Sequence, residues 1–426
     1  MTTTIEVGML GLGTVGSGVV ERLTQAARKI EQTQGIRLHL AAVAVNHLNA
    51  PRAVKLPIGT RFTDSLTNVV CDQRIQLIIE VMGTVATAKS AIKAALNQGK
   101  SVVTANKDLI ATAGAELTAL ARRQHCDLFY EASVAGGIPI LRTLTDSYAT
   151  DNIQSVDGII NGTANYILSA MTAGQTYDDA LAAAQAAGYA EADPTNDVGG
   201  IDAAYKLMIL SRFAFGQGLT FQQVAPVGIT GLSATICQTV AQHGWQIKLL
   251  AQAYQHNQQL YCRVAPVAVA QTQPLSEIAG VQNAIAVQSD AIGASLYTGP
   301  GAGSTATANS VLNDVIVAAQ HLVNGQSAVN TALPVNQGAV TNLADLPQDY
   351  LVVGAKAVSA VQVYANEVDF SLQILAPDCL QLNALTARQR QQIARQVQAT
   401  LVPIAGTVRW PAATKNAITT PVHVAI

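Results

Sequence analysis

Ile5-Glu-Val-Gly-Met-Leu-Gly11-Leu-Gly13-Thr-Val-Gly16 decides how this chain of 426 residues is read. A short apolar run enters Gly-x-Gly-x-x-Gly, and Val19, Val20 and Leu23 follow at helical spacing. Strand, glycine turn and helix in that order form a dinucleotide-binding fingerprint. The first glycine allows the tight turn, the second lets backbone approach a pyrophosphate, and the third lets helix and strand pack closely. Gly11, Leu12, Gly13, Thr14, Val15 and Gly16 are therefore the expected cofactor loop. The next strand, Leu38 to Val45, ends in Asn46-His47, where an NAD-preferring site places Asp or Glu. Asn46 bonds a ribose hydroxyl without repelling a 2′-phosphate, and Arg52 follows it. The pattern favours NADP(H) over NAD(H), with Arg52 read either as a phosphate contact or as a solvated loop cation.

Further along, strand-like and helical runs alternate: Ile75 to Ile79, Ala86 to Leu96, Ser101 to Thr104, a helix through Leu109, Leu117 and Leu120, then Leu128 to Tyr130. Alternation of this kind predicts an α/β fold with a parallel, doubly wound Rossmann sheet. Ligands of such sheets bind beyond the carboxyl ends of the strands. That draws Gly83, Thr104, Asn106 and Lys107 toward the cofactor, although a lysine in the first turn of a helix also reads as a solvated cation.

A second cluster lies at Tyr189-Ala-Glu-Ala-Asp-Pro-Thr-Asn-Asp-Val-Gly-Gly-Ile-Asp-Ala-Ala-Tyr-Lys206. The chain is only 12% charged, yet this stretch holds five ionisable side chains, Glu191, Asp193, Asp197, Asp202 and Lys206. A helix is expected from about Asp197, with that residue as its N-cap. Asp202 and Lys206, at i and i+4, then share a face of an otherwise apolar helix. Singly these residues read as helix-end charges; together, in apolar surroundings, they read as a site.

These motifs, with Thr104-Ala-Asn-Lys107, Tyr130-Glu-Ala-Ser-Val-Ala-Gly-Gly-Ile-Pro139 and Asn161-Gly-Thr-Ala-Asn-Tyr166 between them, resemble homoserine dehydrogenase in order and spacing, from the start of the chain to about residue 325. The resemblance implies NADP(H)- or NAD(H)-dependent interconversion of L-aspartate 4-semialdehyde and L-homoserine, in threonine and methionine biosynthesis. It makes Lys206 the catalytic lysine and Lys107 a second active-site lysine. Glu191 and Asp202 become substrate-binding acids, supported by Asp193 and Asp197. Two neighbouring lysines are expected to lower each other's pKa. Gly162 and Thr163 are expected against the substrate α-carboxylate, and Gly303, in Gly299-Pro-Gly-Ala-Gly303, against the cofactor. Oxygens of Glu131, Val134, Gly136 and Ile138, largely backbone carbonyls, resemble a monovalent-cation loop that ligates sodium. The implied partner is another copy of the chain, as a homodimer or higher homo-oligomer.

The remaining composition excludes other chemistries. Net charge is −2, which gives no basic field for nucleic acid. No apolar run is long enough to span a bilayer, and no cationic leader precedes one, so a cytoplasmic location is expected. There is no His-Glu-x-x-His and no Cys-x-x-Cys, and the cysteines, five in number, are scattered; reduced buried thiols are expected rather than a transition-metal centre or an aldehyde-oxidising nucleophile. Two other readings stand: a catalytically silent nucleotide-binding sensor of amino acids, and another amino-acid aldehyde or imine oxidoreductase.

The expected organisation is a Rossmann domain at 1–139, completed by about 300–330, an α+β substrate and dimerisation domain at 140–300, and a small C-terminal α+β unit at 349–426. By resemblance that last unit is a degenerate ACT-like regulatory βαββαβ module. Its strands are expected at Tyr350 to Val353, Val368 to Leu375 and Val422 to Ile426, with a helix from Thr386 to Ala399.

Overall fold

The computed structural model describes residues 2–52, 54–326, 338–365, 370–397 and 400–411. The first sheet is built from β1 (Thr3–Leu10), α1 (Thr14–Gln34), β2 (Ile36–Ala44), β3 (Arg61–Thr63), α2 (Leu66–Val70), β4 (Leu77–Glu80), α3 (Val85–Asn97), β5 (Ser101–Thr104), α4 (Lys107–Arg123) and β6 (Leu128–Phe129). All its strands are parallel, in the order β3-β2-β1-β4-β5-β6. Helices cover both faces of such a sheet, so its inner strands are apolar throughout rather than alternating. Met9, Leu10, Leu77, Ile78 and Ile79 are accordingly all fully buried. The order reverses between β1 and β4, which opens a crevice at the carboxyl ends of these two strands.

The chain continues through α5 (Ile140–Asp146), β7 (Ile153–Ile159), α6 (Gly162–Thr172), α7 (Tyr177–Ala186), α8 (Thr195–Val198), α9 (Ile201–Phe215), α10 (Phe221–Val224), α11 (Ala234–Gln242), β8 (Trp245–His256), β9 (Gln259–Ala270), β10 (Gln282–Ser289), β11 (Ala294–Pro300), α12 (Ser304–Asn324) and β12 (Val340–Asn342). The second sheet runs β11-β10-β7-β8-β9-β12, antiparallel except where β12 joins β9. The long hairpin of β8 and β9 turns through Asn257 and Gln258, both at positive φ, which matches the twist of the strands. α12 then returns to the first sheet. Its Ala308, Val311, Leu312 and Val315 join the core of Val19, Val20 and Leu23 on α1, and the Ser304 hydroxyl donates to the Thr14 carbonyl at 2.9 Å. The amino ends of α1 and α12 therefore meet.

A third, antiparallel sheet, β14-β15-β13-β16, contains β13 (Gln348–Val353), α13 (Ala355–Ala365), β14 (Ser371–Ala376), β15 (Cys379–Leu385), α14 (Ala387–Val397) and β16 (Leu401–Pro403). The described order is βαββαβ, but three elements differ from expectation, one of them β15, since no strand was expected at Cys379–Leu385. α13 was not foreseen, because its Ala-Lys-Ala-Val-Ser-Ala-Val run carries little polar contrast. The final strand is Leu401–Pro403; Val422 to Ile426 lie outside the described residues, as do 368–369 and 398–399 of the other expected elements. No described helix is long and apolar enough to cross a membrane.

Candidate active site

The glycine loop leaves β1 with Gly11 at φ 100°, and an added Cβ there would stand 2.6 Å from the Val81 carbonyl oxygen. Gly13 is the opposite case, with nothing within 4 Å of where its Cβ would be. Gly11 is needed by the fold, whereas the space over Gly13 is free for a ligand. Leu12 is buried in the core and offers only its backbone; Thr14 is exposed and Val15 half-buried. Two helix amino ends beside this space, those of α1 and α12, supply free amides and positive dipole ends for a pyrophosphate. Gly303, the residue before α12, is at φ 109° and also has open space over it. The fold therefore fits a dinucleotide. Gly11→Ala is expected to destabilise the chain by about 2–4 kcal/mol in urea titration. Gly13→Ala should leave stability unchanged and weaken nucleotide binding about tenfold or more.

Beyond β2, Asn46 is exposed, and the guanidinium of Arg52 donates to the carbonyls of His47, Leu48 and Ala50 while lying 4.8 Å over the Phe62 ring. Arg52 thus shapes this loop rather than standing as a solvated cation. Thr104 and Asn106 hold the turn after β5. Thr104 is fully buried, donating to Glu80 Oε2 at 2.6 Å and accepting from the Asn106 N–H. Asn106 caps α4 by accepting from the Leu109 N–H and donates to the Thr84 carbonyl. Both side chains are spent on the turn and place Lys107 at the start of α4. Gly83 closes the matching turn after β4 at φ 77°.

Lys107 projects into a cavity of about 600 Å³ that also takes Glu191, Asp197, Asp202 and Lys206, with Gly162–Thr163 and Gly301–Gly303 on its walls. At its floor Asp202, only 6% exposed, engages both lysines. Its Oδ2 accepts from Lys206 Nζ at 2.7 Å, and its Oδ1 lies 3.3 Å from Lys107 Nζ. Lys206 Nζ also donates to the Ile160 carbonyl at 2.7 Å, which leaves one of its N–H groups for the cavity. Mutual depression of the lysines is not what this geometry gives. Burial pulls the Lys107 pKa down, but Asp202 and Asp108 outweigh it and raise the value above that of an ordinary lysine. Burial likewise opposes the charge on Asp202, and the two ammonium groups overcome it and hold the carboxyl below its usual range.

The helix carrying this clamp starts later than expected. Its N-cap is Gly200, in the left-handed region, and Asp197 instead lies in the short α8. Burial raises the Asp197 pKa, against a hydrogen bond from Asn161. Asn161 is the residue that sequence reasoning missed. Its Nδ2 donates to Asp197 Oδ1 at 2.7 Å and to Asp202 Oδ2 at 2.8 Å, while its Oδ1 caps α6 at the Ala164 N–H. Only its place before Gly162-Thr163 could have signalled it.

Thr163 lines the cavity with its hydroxyl already engaged. Its hydroxyl donates to the Tyr189 carbonyl at 2.6 Å, so that proton is not free for a carboxylate. The first amides of α6, at Gly162 and Thr163, remain available, as at any helix amino end. Asp193 accepts from the Thr195 N–H and hydroxyl and so organises α8. Glu191 is exposed, lines the cavity, and its carboxylate accepts no hydrogen bond among the described residues.

In the loop after β6, Glu131 is buried and its two carboxylate oxygens accept from the Leu141 and Arg142 amides, each at 2.8 Å. Burial, then Asp314 beside it, pushes its pKa up to about 7. The carbonyls of Glu131, Gly136 and Ile138 each accept a hydrogen bond, from Val134 N–H, Ser310 Oγ and Ile140 N–H respectively. The buried Val134 carbonyl accepts none among the described residues. No described group of His, Cys, Asp and Glu side chains could hold a metal ion. Four of the cysteines are buried and Cys71 is exposed, but no cysteine lines the cavity.

Comparison with known proteins agrees with this geometry. Residues 11–131 match the homoserine dehydrogenase NAD-binding domain and residues 139–316 match the homoserine dehydrogenase family model. The homoserine dehydrogenase of Lactococcus lactis is 40% identical over 315 residues, 74% of each chain. The chain belongs to the homoserine dehydrogenase family. It is an NAD(P)-dependent oxidoreductase of amino-acid biosynthesis. Among solved structures, a homoserine dehydrogenase from Thiobacillus denitrificans superposes with TM-score 0.87 at 30% identity, over 94% of this chain and 98% of that one. A hyperthermophilic archaeal homoserine dehydrogenase in complex with NADPH gives TM-score 0.62 at 26% identity, over 74% of this chain and 98% of that one.

Proposed function

We propose that the chain interconverts L-homoserine and L-aspartate 4-semialdehyde with NADP(H) as the favoured cofactor and with Lys206 carrying the proton. The observation that supports it is the pair of lysines gripped by Asp202 on the floor of a cavity whose wall is the Gly301–Gly303 loop. When bound, the nicotinamide supplies the hydride that reduces the aldehyde carbon. Lys206 gives its free N–H to the oxygen on which negative charge develops, and takes the proton back in the reverse direction. Lys107, kept protonated by Asp202, adds a fixed positive charge beside it. The first amides of α6 hold the α-carboxylate, and Glu191, whose carboxylate has no partner among the described residues, takes the substrate ammonium with Asp202 behind it. Glu191→Gln should therefore raise KM for homoserine about tenfold with a smaller change in kcat.

Residues 45–52 contain no acid to bond the ribose hydroxyls and repel a 2′-phosphate, which supports NADP(H). The orphan carbonyl of Val134, with Glu131, Gly136 and Ile138, supports a sodium site that braces the neighbouring Gly301 loop, since the Gly137 N–H donates to the Pro300 carbonyl at 3.0 Å. The βαββαβ order of the third sheet supports an ACT-like module, and β11, which exposes Leu296 at the edge of the second sheet, supports a homodimer or higher homo-oligomer. The deciding experiment mixes protein, homoserine and NADP⁺ or NAD⁺ at alkaline pH and follows absorbance of the reduced nicotinamide. Absorbance should rise, faster with NADP⁺. Silence with both, from folded protein, would sink the assignment and leave a nucleotide-binding sensor.

A further inference from the structure

A second large space, about 640 Å³, lies where the central sheet meets the C-terminal sheet. That is the size of a small-molecule pocket, and junctions between folding units are where such pockets form. One wall is Val227, Leu232, Val264 and Pro266; the facing wall is Leu401 and Val402. Within these apolar walls stand two guanidinium groups. Arg263, on β9, is only 4% exposed. Its Nε donates to Gln252 and its Nη1 to Gln348, both at 2.7 Å, while Nη2 makes no hydrogen bond among the described residues. Asp157, which accepts from Gln252 at Oδ1, acts on Arg263 through space, but among the described residues it forms neither a hydrogen bond nor an ion pair with it. Arg390, on α14, donates to the Tyr350 hydroxyl at 3.1 Å. Neither arginine forms an ion pair with a described carboxylate, and the only acid on the lining, Asp345, is exposed.

A buried guanidinium whose hydrogen-bond partners are all neutral is costly, and the cost is relieved by an anion that reaches it. A carboxylate matches the planar fork of arginine better than any neutral group. We infer that this junction is a binding site for a small carboxylate with an apolar body, its acid group between Arg263 and Arg390 and its body against Val264 and Leu401. Such a ligand would tie the C-terminal sheet to β9, because Gln348, the partner of Arg263, is the first residue of β13. The inference is independent of the reaction proposed above.

The test uses the full chain, without nucleotide or homoserine, and calorimetric titration with 4-methylpentanoate and its neutral amide, 4-methylpentanamide. The acid should bind about tenfold or more tightly than the amide. Arg390→Gln, on a partly exposed helix position, should abolish that preference while retaining amide binding. Ala394→Trp, which fills the space and keeps both arginines, should abolish binding of both. Both substitutions lie away from the catalytic cavity, so they also separate this site from a carboxylate captured at α6. Equal affinity of acid and amide, or undiminished acid binding by either variant, would overturn the inference.

Discussion

Lys206→Ala is expected to lower kcat about a thousandfold or more while leaving NADPH affinity nearly unchanged. Lys206 is the cavity ammonium with one uncommitted N–H, its other donors being held by Asp202 and the Ile160 carbonyl. Those two bonds orient the group and prevent it from turning away from the reacting oxygen. The cofactor loop at Gly11–Gly16 lies on a separate element, so nucleotide binding, read by fluorescence titration, serves as the control for folding. A variant that kept most of its turnover would remove Lys206 from the proton-transfer role and with it the mechanism proposed here.

The second large effect is expected at Asp202. Asp202→Asn leaves the shape of the side chain but removes the charge that binds both ammonium groups. Removing one partner of a buried ion pair costs about 3–5 kcal/mol, so thermal unfolding should move to lower temperature and kcat should fall about a hundredfold. The pH dependence has a definite sign. In the native chain the Lys107 pKa is raised, chiefly by Asp202 acting against burial. The ion pair therefore contributes stability that is fully present below the ordinary lysine range and is lost only as pH rises through the raised value. Without the Asp202 carboxylate, burial is opposed only by Asp108 and Asp197, so the Lys107 pKa falls and the alkaline limb of the kcat/KM profile should move to lower pH. An unmoved limb would show that Lys107 does not need its charge.

Much of the first sheet was legible because a strand buried on both faces and a glycine turn leave local signatures. Gly11 is required by a positive φ and by the Val81 carbonyl, and no other residue type meets both demands. The charged cluster at 189–206 was legible for a related reason: ionisable groups are rare in this chain, and their density marks a place where burial of charge is tolerated. What those charges do to one another was not legible. The sequence places Asp202 and Lys206 on one helix face, but Lys107 stands 95 positions away from Asp202 and reaches it only across the fold. Two lysines considered alone should depress each other; a carboxylate between them reverses the sign for Lys107. The side-chain bonds of Thr104, Asn106 and Thr163 were not legible for a comparable reason. A hydroxyl or amide near a ligand site reads the same in sequence whether it faces the ligand or holds the turn, and hydrogen bonds to Glu80, Thr84 and Tyr189 decide it.

By itself the sequence determined that this chain has a dinucleotide loop, a parallel sheet behind it and an acid-and-lysine site further on, because each is encoded in residues adjacent along the chain. Only the tertiary structure decided which side chains face the cavity, which are spent on turns, and that Asp202 and Asn161 gather the lysines and acids into one network. Electrostatic interactions and hydrogen bonds depend on distances of a few ångströms between residues remote in sequence, and those distances exist only once the sheets have packed.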